Sequence, residues 1–578
     1  MLLELPGYQV IKKIYEGHNS VVYSGIKLDD KNEAVIIKTP ITKLPNTSAA
    51  NRIKHEFAIS QRIQSPYKVC YKELKVHPHY GYVLIEADDH SEVLANMIPE
   101  NGFTVSVFLE IAIQLAQGLS DIHRSKIIHR DIKPNNIIIN PITGFTKYID
   151  FDNAITMYQL QSAAATCISA GTLSYFSPEQ TNRVNRAIDY RTDFYSLGVT
   201  FYQLLCGKLP FLTNNILELI HCHIAEKPIP LHQISTAIPL SLSNIVMKLL
   251  EKDAEMRYQN AITLLTDLKR CADDWAKNKA ITPFILGQDD ISEYFNIPQK
   301  LYGRETELGL LRDAVDRISA LSSRPEICLV LGPPGIGKTV LVNEIQPAVV
   351  KKKGYFLSGK FDQLNRNTAY SALTDAIRNW VKQVLAYGEK EVIIWKKQLQ
   401  QALGNNAQLM IELIPELELI IDKQPFVQAL DPIQSKNRFH QVFQNLLSVL
   451  ATFNHPIVLF LDDWQWADSA SLQLLEVLMK SPDINNFLLI GAYRDMEVNQ
   501  MHPAAVSIEA MRQAGVPLST TRVLALDLLT VNQWISDATK TSNENTLPIV
   551  QLAYEKTEGN PFFIKMFFQT IYEQGLNI

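Results

Sequence analysis

The chain has 578 residues, too many for one hydrophobic core, so roughly two to four domains are expected. With 46% apolar and 20% charged residues it is neither disordered nor fibrous, and a formal net charge of -5 argues against a nucleic-acid binder. No apolar run reaches the roughly eighteen residues of a membrane span, and Met1 opens on Leu-Leu-Glu-Leu-Pro without a signal-peptide pattern, so no membrane insertion and a cytoplasmic location are expected.

Residues 8 to 38 alternate apolar and polar side chains with Gly17 and Gly25 as breaks, which predicts three antiparallel strands. The first turn carries Tyr15, Gly17 and Ser20, a glycine-poor match to a loop that covers a nucleotide. Val35-Ile36-Ile37-Lys38 then ends an apolar strand on a lysine able to reach α- and β-phosphates; a solvated lysine is the plainer alternative. A helical pattern runs from Arg52 to Ile63, a strand from 82 to 88, and a helix from 105 to 124.

That helix leads into His129-Arg130-Asp131-Ile132-Lys133-Pro134-Asn135-Asn136, set between Ile127-Ile128 and Ile137-Ile138-Ile139. Asp131 can accept a hydroxyl proton, Lys133 can hold a migrating phosphoryl group, and Asn136 can ligate a metal, which suits a reaction run by positioning and charge neutralisation. A polar turn is the bland alternative. Tyr148-Ile149-Asp150-Phe151-Asp152 ends another apolar strand on an acid suited to magnesium. Six scattered cysteines without C-x-x-C spacing suggest neither a zinc ribbon nor a disulfide framework.

These segments resemble, in order, the motifs of the eukaryotic-type serine/threonine protein kinases over roughly residues 8 to 275. The resemblance implies that Glu56 is the ion-pairing partner of Lys38 and that Gly17 covers ATP. It also implies that Asp193 braces the catalytic loop, that Glu179 and Arg257 pair structurally, and that Lys133 and Thr172 favour serine or threonine acceptors. The family has Asp-Phe-Gly where this chain has Asp150-Phe151-Asp152, so restricted movement of the following segment is expected. Thr166 and Ser169 in that segment are candidate phosphate acceptors, with Arg130 as cationic partner.

Residues 276 to 300 lose apolar periodicity and are expected to be a linker. The strand Ile327-Cys328-Leu329-Val330-Leu331 leads into Gly332-Pro333-Pro334-Gly335-Ile336-Gly337-Lys338-Thr339, a complete phosphate loop between strand and helix. Gly332, Gly335 and Gly337 let backbone N–H groups close on phosphates, Lys338 neutralises the β- and γ-phosphates, and Thr339 ligates magnesium. A second apolar run ends in Asp462-Asp463; Asp462 is placed for the magnesium shell and Asp463 to polarise the attacking water. A further strand ends on Tyr493-Arg494-Asp495, with Arg494 placed to sense the γ-phosphate.

With Trp464-Gln465-Trp466-Ala467-Asp468 these features resemble the STAND branch of AAA-type ATPases. In that resemblance Pro561, within Gly559-Asn560-Pro561-Phe562-Phe563, belongs to the element approaching adenine. End to end, the motif order is similar to the cyanobacterial-type multi-sensor signal-transduction kinases, in which a sensor region and a histidine kinase follow; neither motif set is found here.

The fold expected is therefore multidomain: a bilobal protein-kinase-like α+β domain (1–275), a linker (276–300) and an α/β P-loop ATPase domain (301–578), incomplete at its C-terminal end. The expected function is an ATP- and Mg2+-dependent serine/threonine kinase coupled to a regulatory ATPase. The alternative is a signalling scaffold with a weak kinase half. Expected partners are protein substrates with serine or threonine acceptors and downstream sensor or histidine kinase components, with self-association through the ATPase domain.

Overall fold

The alternation in residues 8–40 becomes three antiparallel strands, β1 (Tyr8–Glu16), β2 (Ser20–Lys27) and β3 (Ala34–Pro40). After helix α1 (Ser48–Ser60), strands β4 (Tyr71–His77) and β5 (Gly81–Ala87) complete a sheet of order β1-β2-β3-β5-β4. Val35, Ile37, Val83 and Ile85 bury one face under Leu5, Tyr8 and Tyr80, so the intervening residues, Lys38 among them, turn toward α1. Lys38 lies inside β3, with Thr39 and Pro40 still in the strand, not at its end as the sequence suggests. This computed structural model describes residues 4–573 except 18–19, 30–31, 42–47, 88–89, 158–172, 182, 185, 214, 289, 291–297, 299, 322, 364–368, 387–388, 429 and 453–454.

The larger lobe is built on helix α2 (Val105–Arg124), which spans the range expected from its periodicity. Phe108, Leu109, Ala112, Leu115, Ala116, Leu119 and Ile122 recur at helical spacing and are buried against the helices Arg191–Cys206 and Ala261–Asn278. Among the described residues it is the one helix long and apolar enough to cross a membrane, and that apolar surface is spent on this core. Two short strand pairs then frame the octapeptide 129–136: Ile127–Ile128 with Ile155–Thr156, and Ile137–Ile139 with Thr146–Tyr148. They bring residues 129–136 beside residues 150–152.

The described front part of the stretch expected to be a linker packs on this lobe. Ile281, Phe284 and Leu286 lie against the first core, Arg270 stacks 4.3 Å over the Phe284 ring, and the Asp290 carboxylate accepts from the Gln259 backbone N–H at 2.9 and 3.0 Å.

In the second half, β6 (Glu326–Leu331), β7 (Tyr355–Lys360), β8 (Ile457–Asp462), β9 (Phe487–Tyr493) and β10 (Leu518–Arg522) form a wholly parallel sheet of order β7-β8-β9-β6-β10. The three central strands, β8, β9 and β6, are near-continuous apolar runs because cores cover both faces, while the edge strand β10 reads Leu-Ser-Thr-Thr-Arg. A parallel sheet puts every strand's carboxyl end on one edge, where the phosphate loop, Asp462-Asp463 and Arg494 all emerge. The helix after the phosphate loop is short: Lys338–Asn343 is followed by a second piece, Gln346–Lys351. Pro347 clashes with continued helix through residue 343, which accounts for the break.

The last helix, Pro561–Glu573, joins a separate small core with Val531, Ile535, Ile564 and Phe568. The two halves meet where the helix Ile216–Ala225 packs on Gln346–Lys351, burying Ile220, Ile224 and Val350 together.

Candidate active sites

In the front half, the Lys38 Nζ donates to Glu56 Oε2 at 2.8 Å and to Asp150 Oδ1 at 2.7 Å, so strand, helix and the Asp150 segment are joined through one ammonium. Glu56 is fully buried; its Oε1 accepts from the Tyr71 hydroxyl at 2.7 Å and from the Phe151 backbone N–H at 3.3 Å. Burial works against the Lys38 charge, yet Asp150 and then Glu56 hold its pKa well above the ordinary lysine value. Burial likewise raises the Asp150 carboxyl, but the Lys38 charge and hydrogen bond, with Lys133 and His129 beyond, more than offset it and leave it below its usual value.

Asp131 sits across the cleft. Its Oδ2 accepts from Lys133 Nζ at 2.9 Å and from Asn136 Nδ2 at 3.0 Å, while Oδ1 is buried with no hydrogen-bond partner among the described residues. Asn136 Nδ2 also donates to the Asp131 carbonyl at 2.9 Å, which fixes the loop's curvature. The brace expected from Asp193 is present: it accepts from the His129 and Arg130 backbone N–H groups at 2.9 and 2.8 Å and meets His123 Nε2 at 2.9 Å. Arg257 and Glu179 pair at 2.7 and 2.9 Å in full burial.

Two departures from the family pattern acquire physical meaning. Gly17 donates its N–H to the Ser20 carbonyl at 2.9 Å, and a Cβ there would lie 2.9 Å from the exposed Tyr15 ring, which can turn aside, so this glycine has no left-handed backbone to protect. Asp150, with φ of 65°, takes the left-handed conformation, and Asp152 does not, so an aspartate in place of glycine at 152 brings no such strain. Burial, then repulsion from Asp150, pushes the Asp152 carboxyl up to about 7, and Arg52 Nη1 stands 3.6 Å away. Thr166, Ser169 and Thr172 lie outside the described residues.

In the second half, Gly332, Gly335 and Gly337 have φ of 151°, 74° and 98°, backbone that side chains resist. At Gly332 a Cβ would also stand 2.7 Å from the Val523 carbonyl oxygen. Lys338 folds back onto the loop, donating to the Gly332 and Pro333 carbonyls at 2.8 and 3.0 Å; burial lowers its pKa, partly offset by Asp462 and Asp463. The Thr339 hydroxyl donates to Asp462 Oδ2 at 2.6 Å, uniting the two residues expected to share a metal.

Asp463, at φ 55°, lies 3.2 Å from Lys360 Nζ and 3.8 Å from Arg494 Nε. Arg494 stacks 5.0 Å over the Trp466 ring and donates to Glu497 at 2.8 Å. Pro561 begins the last helix, whose N-terminal end abuts the loop: Asn560 Nδ2 donates to the Pro334 carbonyl at 3.1 Å. Sequence reasoning did not single out Tyr71, Asn560 or the inter-domain residues, because each acts on a partner far away in the chain. Asn560 lies within the quoted Gly-Asn-Pro run, the one local signal available.

Residues 8–267 match the protein kinase domain family, and residues 300–490 match the AAA ATPase domain family. The chain is 29% identical to Hybrid signal transduction histidine kinase G of Dictyostelium discoideum, over 84% of this chain and 18% of that protein. It is 33% identical to a probable serine/threonine-protein kinase of Clostridium perfringens over 46% of this chain and 38% of that one. It is 24% identical to Histidine protein kinase 1 of Candida albicans, over 70% of this chain and 18% of that one. The chain thus spans well under half the length of these relatives. Its architecture is a protein kinase domain followed by an AAA ATPase domain.

Proposed function

We propose that this chain, a protein kinase domain joined to an AAA ATPase domain, is an ATP-dependent serine/threonine protein kinase of signal transduction whose transfer is governed by a STAND-type nucleotide switch. The observation that carries the reading is the buried Asp131 Oδ1, without a hydrogen-bond partner among the described residues, on a loop whose His129 packs on Phe151, next to the joined Lys38, Glu56 and Asp150.

A serine or threonine hydroxyl on a protein substrate gives its proton to Asp131 as its oxygen attacks the γ-phosphorus; the phosphoryl group transfers and ADP departs. Lys133, held 2.9 Å from Asp131, steadies the charge on the group in transit. Lys38 binds the α- and β-phosphates, with Glu56 fixing its position. Asn136 and Asp150 offer the hard oxygen donors that Mg2+ takes, and the ion would neutralise charge across the β- and γ-phosphates. In the second domain the loop amides and Lys338 bind phosphates, Thr339 and Asp462 supply oxygen ligands, Asp463 polarises water and Arg494 contacts the γ-phosphate.

Protein substrates with serine or threonine acceptors are the partners this reading requires. Downstream sensor or histidine kinase components, self-association through the ATPase domain and a cytoplasmic location belong to the same proposal. The test is transfer of labelled phosphate from ATP to casein. Asp131→Asn should lower it roughly 10²–10⁴-fold, and near-full transfer by that variant would overturn the assignment.

A further inference from the structure

The turn Trp464–Trp466 joins Asp463 to the rest of the second site, and its three side chains divide three tasks. Trp464 is fully buried, its indole 2.7 Å from where a Cβ on Gly491 would lie, so it anchors the turn beneath β9. Trp466 offers its face to the Arg494 guanidinium. Gln465 is 2% exposed.

Both ends of its amide are used. Nε2 donates to Asp463 Oδ1 at 2.7 Å, and Oε1 accepts from the Arg494 backbone N–H at 3.3 Å. The donor at Arg494 and the acceptor at Asp463 allow only this orientation of the amide. Lys360 lies 3.2 Å from the other oxygen, Oδ2, so the carboxylate is held at two points on a residue whose φ of 55° is a conformation that surroundings must enforce.

We propose that Gln465 is a positioning residue for ATP hydrolysis in the second domain: it aims the Asp463 carboxylate and ties it to the backbone of Arg494, so that the group polarising water and the group contacting the γ-phosphate shift together. This rests on the proposed role of Asp463. A methionine at 465 keeps the length and volume and removes both hydrogen bonds; an asparagine keeps both polar groups but falls one carbon short.

The experiment measures ATP hydrolysis in the full chain carrying Lys38→Ala, so that only the second site turns over. Gln465→Met should lower kcat roughly tenfold or more with KM unchanged, and Gln465→Asn should fall between it and the parent. Because Gln465 acts through Asp463, adding Gln465→Met to Asp463→Asn should cost nothing further. Three results overturn the inference: parental kcat in Gln465→Met, joint loss of kcat and ATP affinity in both 465 variants, or additive losses in the double variant. Parental hydrolysis by Asp463→Asn alone would instead defeat the role of Asp463, and the inference with it.

Discussion

Arg186 and Glu344 meet across the two domains as a two-point ion pair, Nη1 to Oε2 at 3.0 Å and Nη2 to Oε1 at 3.2 Å. Arg186 follows the buried turn Pro178–Thr181, in which Gln180 donates to the Arg130 carbonyl at 2.8 Å, next to Asp131. Glu344 directly follows the helix that begins with Lys338. Arg183 reinforces the joint, donating to Gln383 at 3.0 Å and stacking 5.6 Å over the Tyr355 ring. The pair thus joins the segment after the phosphate-loop helix to a residue six positions from Gln180, which holds the Arg130 carbonyl beside Asp131.

Arg186→Glu should make phosphotransfer insensitive to Lys338→Ala, whereas in the parent that change should alter transfer by a factor corresponding to about 1–3 kcal/mol. Combining Arg186→Glu with Glu344→Arg should restore the response. An unchanged response in the single charge reversal would show that the pair carries no coupling.

The two nucleotide sites share no residue, so each should be silenced alone. Lys338→Ala with Asp462→Ala should abolish free phosphate release while ATP still binds in the kinase cleft; Lys38→Ala should remove phosphoprotein but not hydrolysis. Calorimetry on the unaltered chain should count two ATP sites, and a count of one would refute the pair.

The Arg257–Glu179 pair is sealed from solvent, so losing one partner leaves a buried charge. Arg257→Ala should destabilise the front domain by about 3–5 kcal/mol in urea unfolding, and Arg257→Met with Glu179→Leu should cost less than that single change. Equal losses would mean that packing, not charge, holds the turn.

His223, 1% exposed and 3.0 Å from the Tyr195 hydroxyl, is pushed down to about 3 by burial and then by the neighbouring Lys252 charge. Above its ordinary value of 6.5 the ring is neutral in both folded and unfolded chains. Below that, down to about 3, only the unfolded chain gains the proton, so acidification drains stability by up to ~1.4 kcal/mol per pH unit. His223→Gln should show a shallower fall in unfolding free energy between about pH 6 and about pH 4.5, inside that window; identical slopes would exclude His223 as the source.

Much of both sites is legible in the sequence because their chemistry hangs on apolar strands with fixed offsets. Lys38, Asp131, Asn136, Asp150 and Lys338 each follow or interrupt such a run, and β3, α2 and β6 appear close to where periodicity puts them. What Asp152 costs is not legible, since it depends on which neighbouring residue takes the left-handed backbone, and that is Asp150. The joint of Arg186 and Glu344 has no local pattern, as its halves are two surface charges 158 positions apart. Gln465 lies inside a recognisable run but reads as a spacer; a lone amide between two tryptophans at a buried strand end is the only hint of its place.

The packing of residues 279–290 sets where the front domain can be cut free. Ending a fragment at residue 275 would strip Phe284 from Arg270 and Asp290 from Gln259, and would uncover the core where Ile281, Phe284 and Leu286 lie. A fragment carried through Asp290 keeps both contacts, so its boundary lies well beyond Arg257, the last motif residue of the front half.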